Sequence, residues 1–165
     1  MRFNRERSKA IQQENEQFRA VGRRGIGTLS KRELLVAGAA LYWGEGTKSE
    51  KRPSPMLALS NSDPRLVALF MRFVREILGV PEDRIRSGVH IYPNLTAEKA
   101  RRFWAKVTGL PADKFYVVNQ VSRASQSRRP RNSLPYGTVS VRVSSRALFQ
   151  RVLGCIEGFA DNATK

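Results

Sequence analysis

The chain has 165 residues, 41% of them hydrophobic, and its 30 Lys and Arg against 14 Asp and Glu leave a net charge of +16. That length suits one domain with a real core, the composition excludes a disordered chain, and a charge of this sign and size calls for a polyanionic partner, most often nucleic acid. The single cysteine excludes disulfides and cysteine metal sites, and no apolar run approaches the roughly twenty residues of a membrane span. The expected setting is the cytoplasm or nucleoid, with no membrane contact and no small-molecule cofactor.

Residues 1–29 are rich in Arg, Gln and Glu, with only Ile11, Phe18 and Val21 as larger apolar anchors. They predict a polar, basic helix from about Arg5 to Val21, then a linker from Gly22 to Thr28. Ser30 followed by Glu33 is a capping box, so a second helix starts just after Ser30, and Gly46 is its natural stop. This is the most apolar run of the chain, and it ends in a lone carboxylate, Glu45, between two glycines. Ala37, Ala40 and Gly44 fall on one face, where small side chains let another backbone approach closely. Leu35 and Tyr42 lie opposite, with Leu34 and Leu41 on the flank between them.

Thr47 to Pro55 is polar and proline-broken, a loop with room for a short edge strand. Met56 to Asn61 reads as a strand with Leu57 and Leu59 inward, and Asp63-Pro64 opens a helix that runs to about Leu78. Its expected buried residues are Leu66, Phe70, Phe73 and Ile77. Arg84 to Tyr92 alternates, Ile85, Val89 and Ile91 on one face and Arg84, Arg86, Gly88, His90 and Tyr92 on the other. Thr96 caps a helix over about Ala97 to Val107, with Ala100, Phe103, Trp104 and Val107 as its stripe. Phe115 to Val121 is a further strand, and Ser122 to Pro135 a basic loop holding Arg123, Arg128, Arg129 and Arg131. Thr138 to Ser144 alternates with Val139, Val141 and Val143 inward, and a last helix covers about Ser145 to Gly158. Cys155 falls among Val152, Leu153 and Ile156 and reads as a small core residue. The expected organisation is an N-terminal helix and linker over 1–29, a domain over 30–159 and a tail over 160–165. The fold class is α+β, an antiparallel or mixed sheet with helices packed on one face.

Such a sheet leaves its other face to solvent or ligand. The outward positions gather Arg84, Arg86, His90 and Arg142, with Thr138, Ser140 and Gln120 among them and no acidic residue in these segments. Arginines fork onto guanine or clamp phosphates, and Ser, Thr and Gln bond to base edges, so this set suits a reader of double-stranded DNA. The Ser122 to Pro135 loop suits an arm that neutralises phosphates. His90 has no evident Asp or Ser partner, which points to groove contact or packing ahead of proton transfer.

The run Ala39-Ala40-Leu41-Tyr42-Trp43-Gly44-Glu45-Gly46 resembles the LAGLIDADG motif of homing endonucleases and their non-cleaving relatives. Trp43 stands where that family usually has an acidic residue. The resemblance implies a saddle-shaped sheet straddling a DNA groove, and a homodimer paired through two copies of this helix at Ala37, Ala40 and Gly44. It also implies a divalent metal, Mg²⁺, bound by Glu45 as the catalytic carboxylate. Cleaving members place a lysine or other polar groups around the metals; here no expected strand has an interior lysine, and Lys48 and Gln120 are the candidates. The implied activity is Mg²⁺-dependent hydrolysis of double-stranded DNA at a near-palindromic site. The alternatives are a non-cleaving transcription regulator on the same scaffold and an RNA-binding maturase.

Overall fold

The computed structural model describes residues 2–50, 55–92, 95–120 and 134–163, with side chains from Asn4 onward. Helix α1 spans Arg2–Ile26. It continues through Gly22 and Gly25, past the expected end at Val21, and stops where Gly27 adopts φ 58° and donates its N–H to the Arg23 carbonyl. A glycine in a helix interior costs about 1 kcal/mol without terminating the helix; the left-handed residue is what ends it. Every described side chain of α1 is exposed except that of Ala20. The chain divides into two compact units, Met1–Glu33 and Leu34–Lys165, and the second holds the sheet.

Helix α2 spans Lys31–Glu45 and opens with the capping box. Ser30 N–H donates to Glu33 Oε2 at 2.7 Å, and Glu33 N–H to Ser30 Oγ at 3.3 Å. Leu34, Gly38 and Tyr42, each one turn above the last, are buried together with Ala39. Gly38 is the close-approach position: a Cβ there would lie 2.2 Å from the Phe73 ring. Tyr42 stacks on Phe70 and donates its hydroxyl to the Thr47 carbonyl.

Beyond Gly46, which bridges to Leu59, the chain runs briefly along strand β1 (Leu57–Asn61), with Thr47 N–H donating to the Ala58 carbonyl. Helix α3 spans Pro64–Arg72, capped by Asp63, whose carboxylate accepts the Arg65 N–H at 2.9 Å; such a cap contributes about 1 kcal/mol. A π-turn, Phe73–Ile77, follows, closed by Leu78 N–H donating to the Phe73 carbonyl. Phe70 and Phe73 are buried as the periodicity predicts, together with Met71 and Val74, whereas the predicted Leu66 and Ile77 are not. Those two are half-buried and pack on the core's margin.

Strand β2 is Ile85–Ile91, helix α4 Ala97–Thr108, strand β3 Phe115–Asn119, strand β4 Thr138–Val143 and helix α5 Arg146–Ala163. Thr96 stands at the N-cap of α4 but makes no side-chain capping bond, and Gly109 at φ 74° ends that helix. The sheet order is β1-β4-β2-β3, with β1/β4 and β4/β2 antiparallel and β2/β3 parallel. The fold is therefore α+β with a mixed four-stranded sheet. The parallel pair follows from α4, which carries the chain back to the starting end of β2, as a crossover helix does.

The inward sheet positions Leu57, Leu59, Ile85, Val89, Ile91, Phe115, Val139, Val141 and Val143 are at most 3% exposed. They meet Tyr42, Phe70, Phe73, Trp104 and Val152 from the helices in one cluster. Trp104 satisfies its indole N–H on the Tyr136 carbonyl at 2.8 Å. Surface ion pairs such as Arg72–Glu76 are solvent-screened and contribute little, so burial of this cluster is what holds the domain. Cys155 is half-buried, outside the centre of the core. No helix among the described residues is long and apolar enough to cross a membrane.

Candidate nucleic-acid interface

The pleat that buries the valines sends the alternate residues to the sheet's other face, and the strand register sorts them into rows. One row across β1, β4 and β2 is Ala58, Arg142, Arg86. The next, across all four strands, is Ser60, Ser140, Gly88, Tyr116. The third is Thr138, His90, Val118. No described strand contains an Asp or Glu. Two shallow hollows open on this face: one of about 280 Å³ beside Thr47, Ser49, Ala58, Ser60 and Arg142, the other of about 250 Å³ between Ser60, His90, Tyr92, Gln120 and Thr138.

The predicted basic residues differ in how they are held. Arg142 is half-buried; its Nε donates to Ser140 Oγ at 3.1 Å, and its guanidinium carbon lies 5.6 Å from the centre of the Tyr116 ring. Arg86 is exposed and bonds through Nη1 to the Asp83 carbonyl at 2.5 Å. Arg84 lies in the short 3₁₀ turn Glu82–Arg84 before β2, outside the strand, and bonds through Nη2 to the Ser144 carbonyl at 3.2 Å. His90 is half-buried, with Nδ1 3.2 Å from Gln120 Nε2. Burial, then the nearby Arg142 charge, pushes its pKa below the ordinary 6.5. Arg123, Arg128, Arg129 and Arg131 lie outside the described residues.

Tyr116 is the residue the sequence reading misses. It is 38% exposed and lies across Gly88, where any Cβ would fall 2.1 Å from its ring. The alternation of β3 places it outward. Its neighbour Gly88 follows only from the β2/β3 register, which no single-strand pattern gives.

Glu45 is exposed at the end of α2, beside the β1 edge of the sheet. Asn61 Nδ2 donates to its Oε2 at 3.2 Å, and the Asn61 amide is oriented because its Oδ1 accepts the Asp63 N–H at 2.8 Å. Lys48, the expected partner of Glu45, is turned elsewhere: its Nζ donates to the Trp43 and Gly46 carbonyls at 2.8 and 3.1 Å, capping the end of α2. Gln120 is tied to His90 on the sheet. Of the residues expected at a helix pair, Ala40 and Gly44 are exposed and Ala37 is half-buried, and a Cβ on Gly44 would meet no atom within 4 Å. Val36 and Trp43 are exposed on the same helix, and Trp43 stacks with Phe159 of α5.

Among the described residues no three His, Cys, Asp or Glu side chains cluster as metal ligands. A carboxylate with one free oxygen still fits Mg²⁺, which binds one or two carboxylates and completes its shell with water and phosphate oxygens. Comparison of the chain with family models, with curated proteins and with solved structures gives no match.

Proposed function

We propose that this chain binds double-stranded DNA as a homodimer, applies the open face of its sheet to a groove as a saddle of LAGLIDADG type, and hydrolyses the backbone with Mg²⁺ held by Glu45. The observation that carries the reading is the pairing of Arg86 directly opposite Arg142 on a face whose described strands hold no acidic residue. Like charges opposite one another on adjacent strands destabilise a sheet, by up to about 1 kcal/mol. An anionic ligand turns that cost into binding, and a net charge of +16 adds long-range attraction. The second copy is assigned to the outer face of α2, where Val36, Ala40, Trp43 and Gly44 leave an apolar, small-residue surface open. Such a pair brings two Glu45 carboxylates together, an arrangement that favours a cation between them. Mg²⁺ there supplies a Lewis acid and a water of lowered pKa; the chain's own part is to hold Glu45 through Asn61 and to seat the duplex.

The position of Lys48 favours a second reading, a DNA-binding regulator that does not cleave, since its ammonium is spent on helix-end carbonyls. One paired experiment separates them. Duplex affinity, measured by gel shift without divalent metal, should fall steeply with salt, with a log–log slope of about −0.9 for each phosphate contact. Plasmid nicking in Mg²⁺ should be present in the parent and lost by orders of magnitude in Glu45→Gln, whose affinity stays at or above the parent's. Tight binding without nicking by either protein assigns the regulator. A flat salt titration overturns duplex binding altogether.

A further inference from the structure

Three described arginines, Arg84, Arg86 and Arg142, lie on or beside the open face, and they are not equivalent. Arg84 and Arg86 spend a terminal nitrogen on main-chain carbonyls, those of Ser144 and Asp83, close to the end of the sheet where β2 begins. Arg142, directly opposite Arg86 on the neighbouring strand β4, is instead fixed at two points. Its Nε is anchored by Ser140, which is 1% exposed, and its guanidinium rests beside the Tyr116 ring. Among the described residues neither of its terminal nitrogens has a hydrogen-bond partner. Tyr116 in turn occupies the space that the missing side chain of Gly88 leaves.

A phosphate accepts a cation from many directions, whereas the O6/N7 edge of guanine needs a planar fork at one angle. An arginine held at Nε and against an aromatic ring has lost much of its rotamer freedom before binding. We infer that Arg142 reads a guanine edge in the bound duplex, and that Tyr116, seated over Gly88, is a positioning residue that aims it. This rests on the duplex-binding reading above, and deepens it: Arg84 and Arg86 are left as phosphate contacts, and sequence preference is concentrated at one arginine of each chain.

The test is selection from a randomised duplex pool by the full chain without divalent metal, followed by affinities for the selected duplex and for the unselected pool. The parent should enrich a site with a fixed guanine. Arg142→Lys, which keeps the charge and loses the fork, should lower the ratio of the two affinities by about 5- to 150-fold, the worth of one bidentate base contact. Tyr116→Phe keeps the ring and should keep the ratio, whereas Tyr116→Leu should lose it along with Arg142→Lys. Arg86→Ala, which removes a phosphate contact, should weaken both affinities together. Retention of the guanine preference by Arg142→Lys, or by Tyr116→Leu, overturns the inference. Salt-sensitive binding by the parent with no enriched sequence also overturns it while leaving duplex binding standing; no binding of the pool removes both.

Discussion

His90 is the chain's one imidazole, and its surroundings act on a single equilibrium. Burial first, and the Arg142 charge second, disfavour the imidazolium, so the folded pKa lies below the ordinary 6.5 that the unfolded chain keeps. Between those two values the unfolded state binds more protons, and stability therefore rises with pH there. The contribution is fully present above the unfolded pKa and is lost as pH falls through the folded one. Urea midpoints taken from about pH 7 down to about pH 5, above the range of ordinary carboxylates, should fall steadily for the parent and stay flat for His90→Gln. Equal slopes for the two proteins would show that another group titrates in that window. The residue scale is also where the sequence said least about the site. Arg86, His90 and Arg142 were legible from alternation alone. The Tyr116–Gly88 contact and the Asn61–Glu45 bond join residues of different elements, and pairing across elements has no periodic signature within one segment.

At the scale of the element, α2 shows two glycines with opposite duties. A methyl on Gly38 would meet the ring of Phe73, which is fully buried and has no room to retreat, so Gly38→Ala should destabilise the chain by about 1–3 kcal/mol or more. A methyl on Gly44 meets nothing within 4 Å, and Gly44→Ala should stabilise the helix by up to about 1 kcal/mol. Denaturant melts at matched protein concentration compare the two; an insensitive Gly38→Ala would mean that the Phe73 packing is loose. Gly44→Leu belongs to the proposed helix pair: sedimentation should show it monomeric and folded, and an unchanged dimer would assign that face to something else. The capping box, the Asp63-Pro64 start and all four strands could be read from local chemistry, because caps and alternation involve neighbours in sequence. So could the apolar side of α2, where Leu34 and Tyr42 are buried and Leu35 and Leu41 pack on the core; the burial of Gly38 and Ala39 could not, since a helix with Ala37, Gly38, Ala39, Ala40 and Gly44 offers small residues on several sides. The π-turn escaped for a different reason: the buried Val67, Phe70, Met71, Val74 and Leu78 follow an ordinary helical stripe, so nothing in the periodicity marks the wider turn over Phe73–Ile77.

For the whole molecule, the order β1-β4-β2-β3 places the last strand made between the first two. Strand β1 pairs with β4, and β2 reaches β1 only through β4, so the sheet has no antiparallel pair until Thr138–Val143 is present. Closing a loop from Asn61 to Thr138 adds little to the final free energy, because that cost grows only with the logarithm of length. It weighs on time instead. Contacts this distant in sequence place folding in the millisecond-to-second range. On the ribosome, Leu57 and Leu59 are made about 4–17 s before their partners Val143 and Val141, at ordinary rates of synthesis. A chain ending at Tyr136 should therefore be insoluble or non-cooperative in its melt, although it contains three of the four strands; a sharp transition from that fragment would refute the dependence on β4. The nascent chain thus carries the apolar faces of its first three described strands without an antiparallel partner until Thr138–Val143 has been made, and its exposure to wrong partners lasts that long.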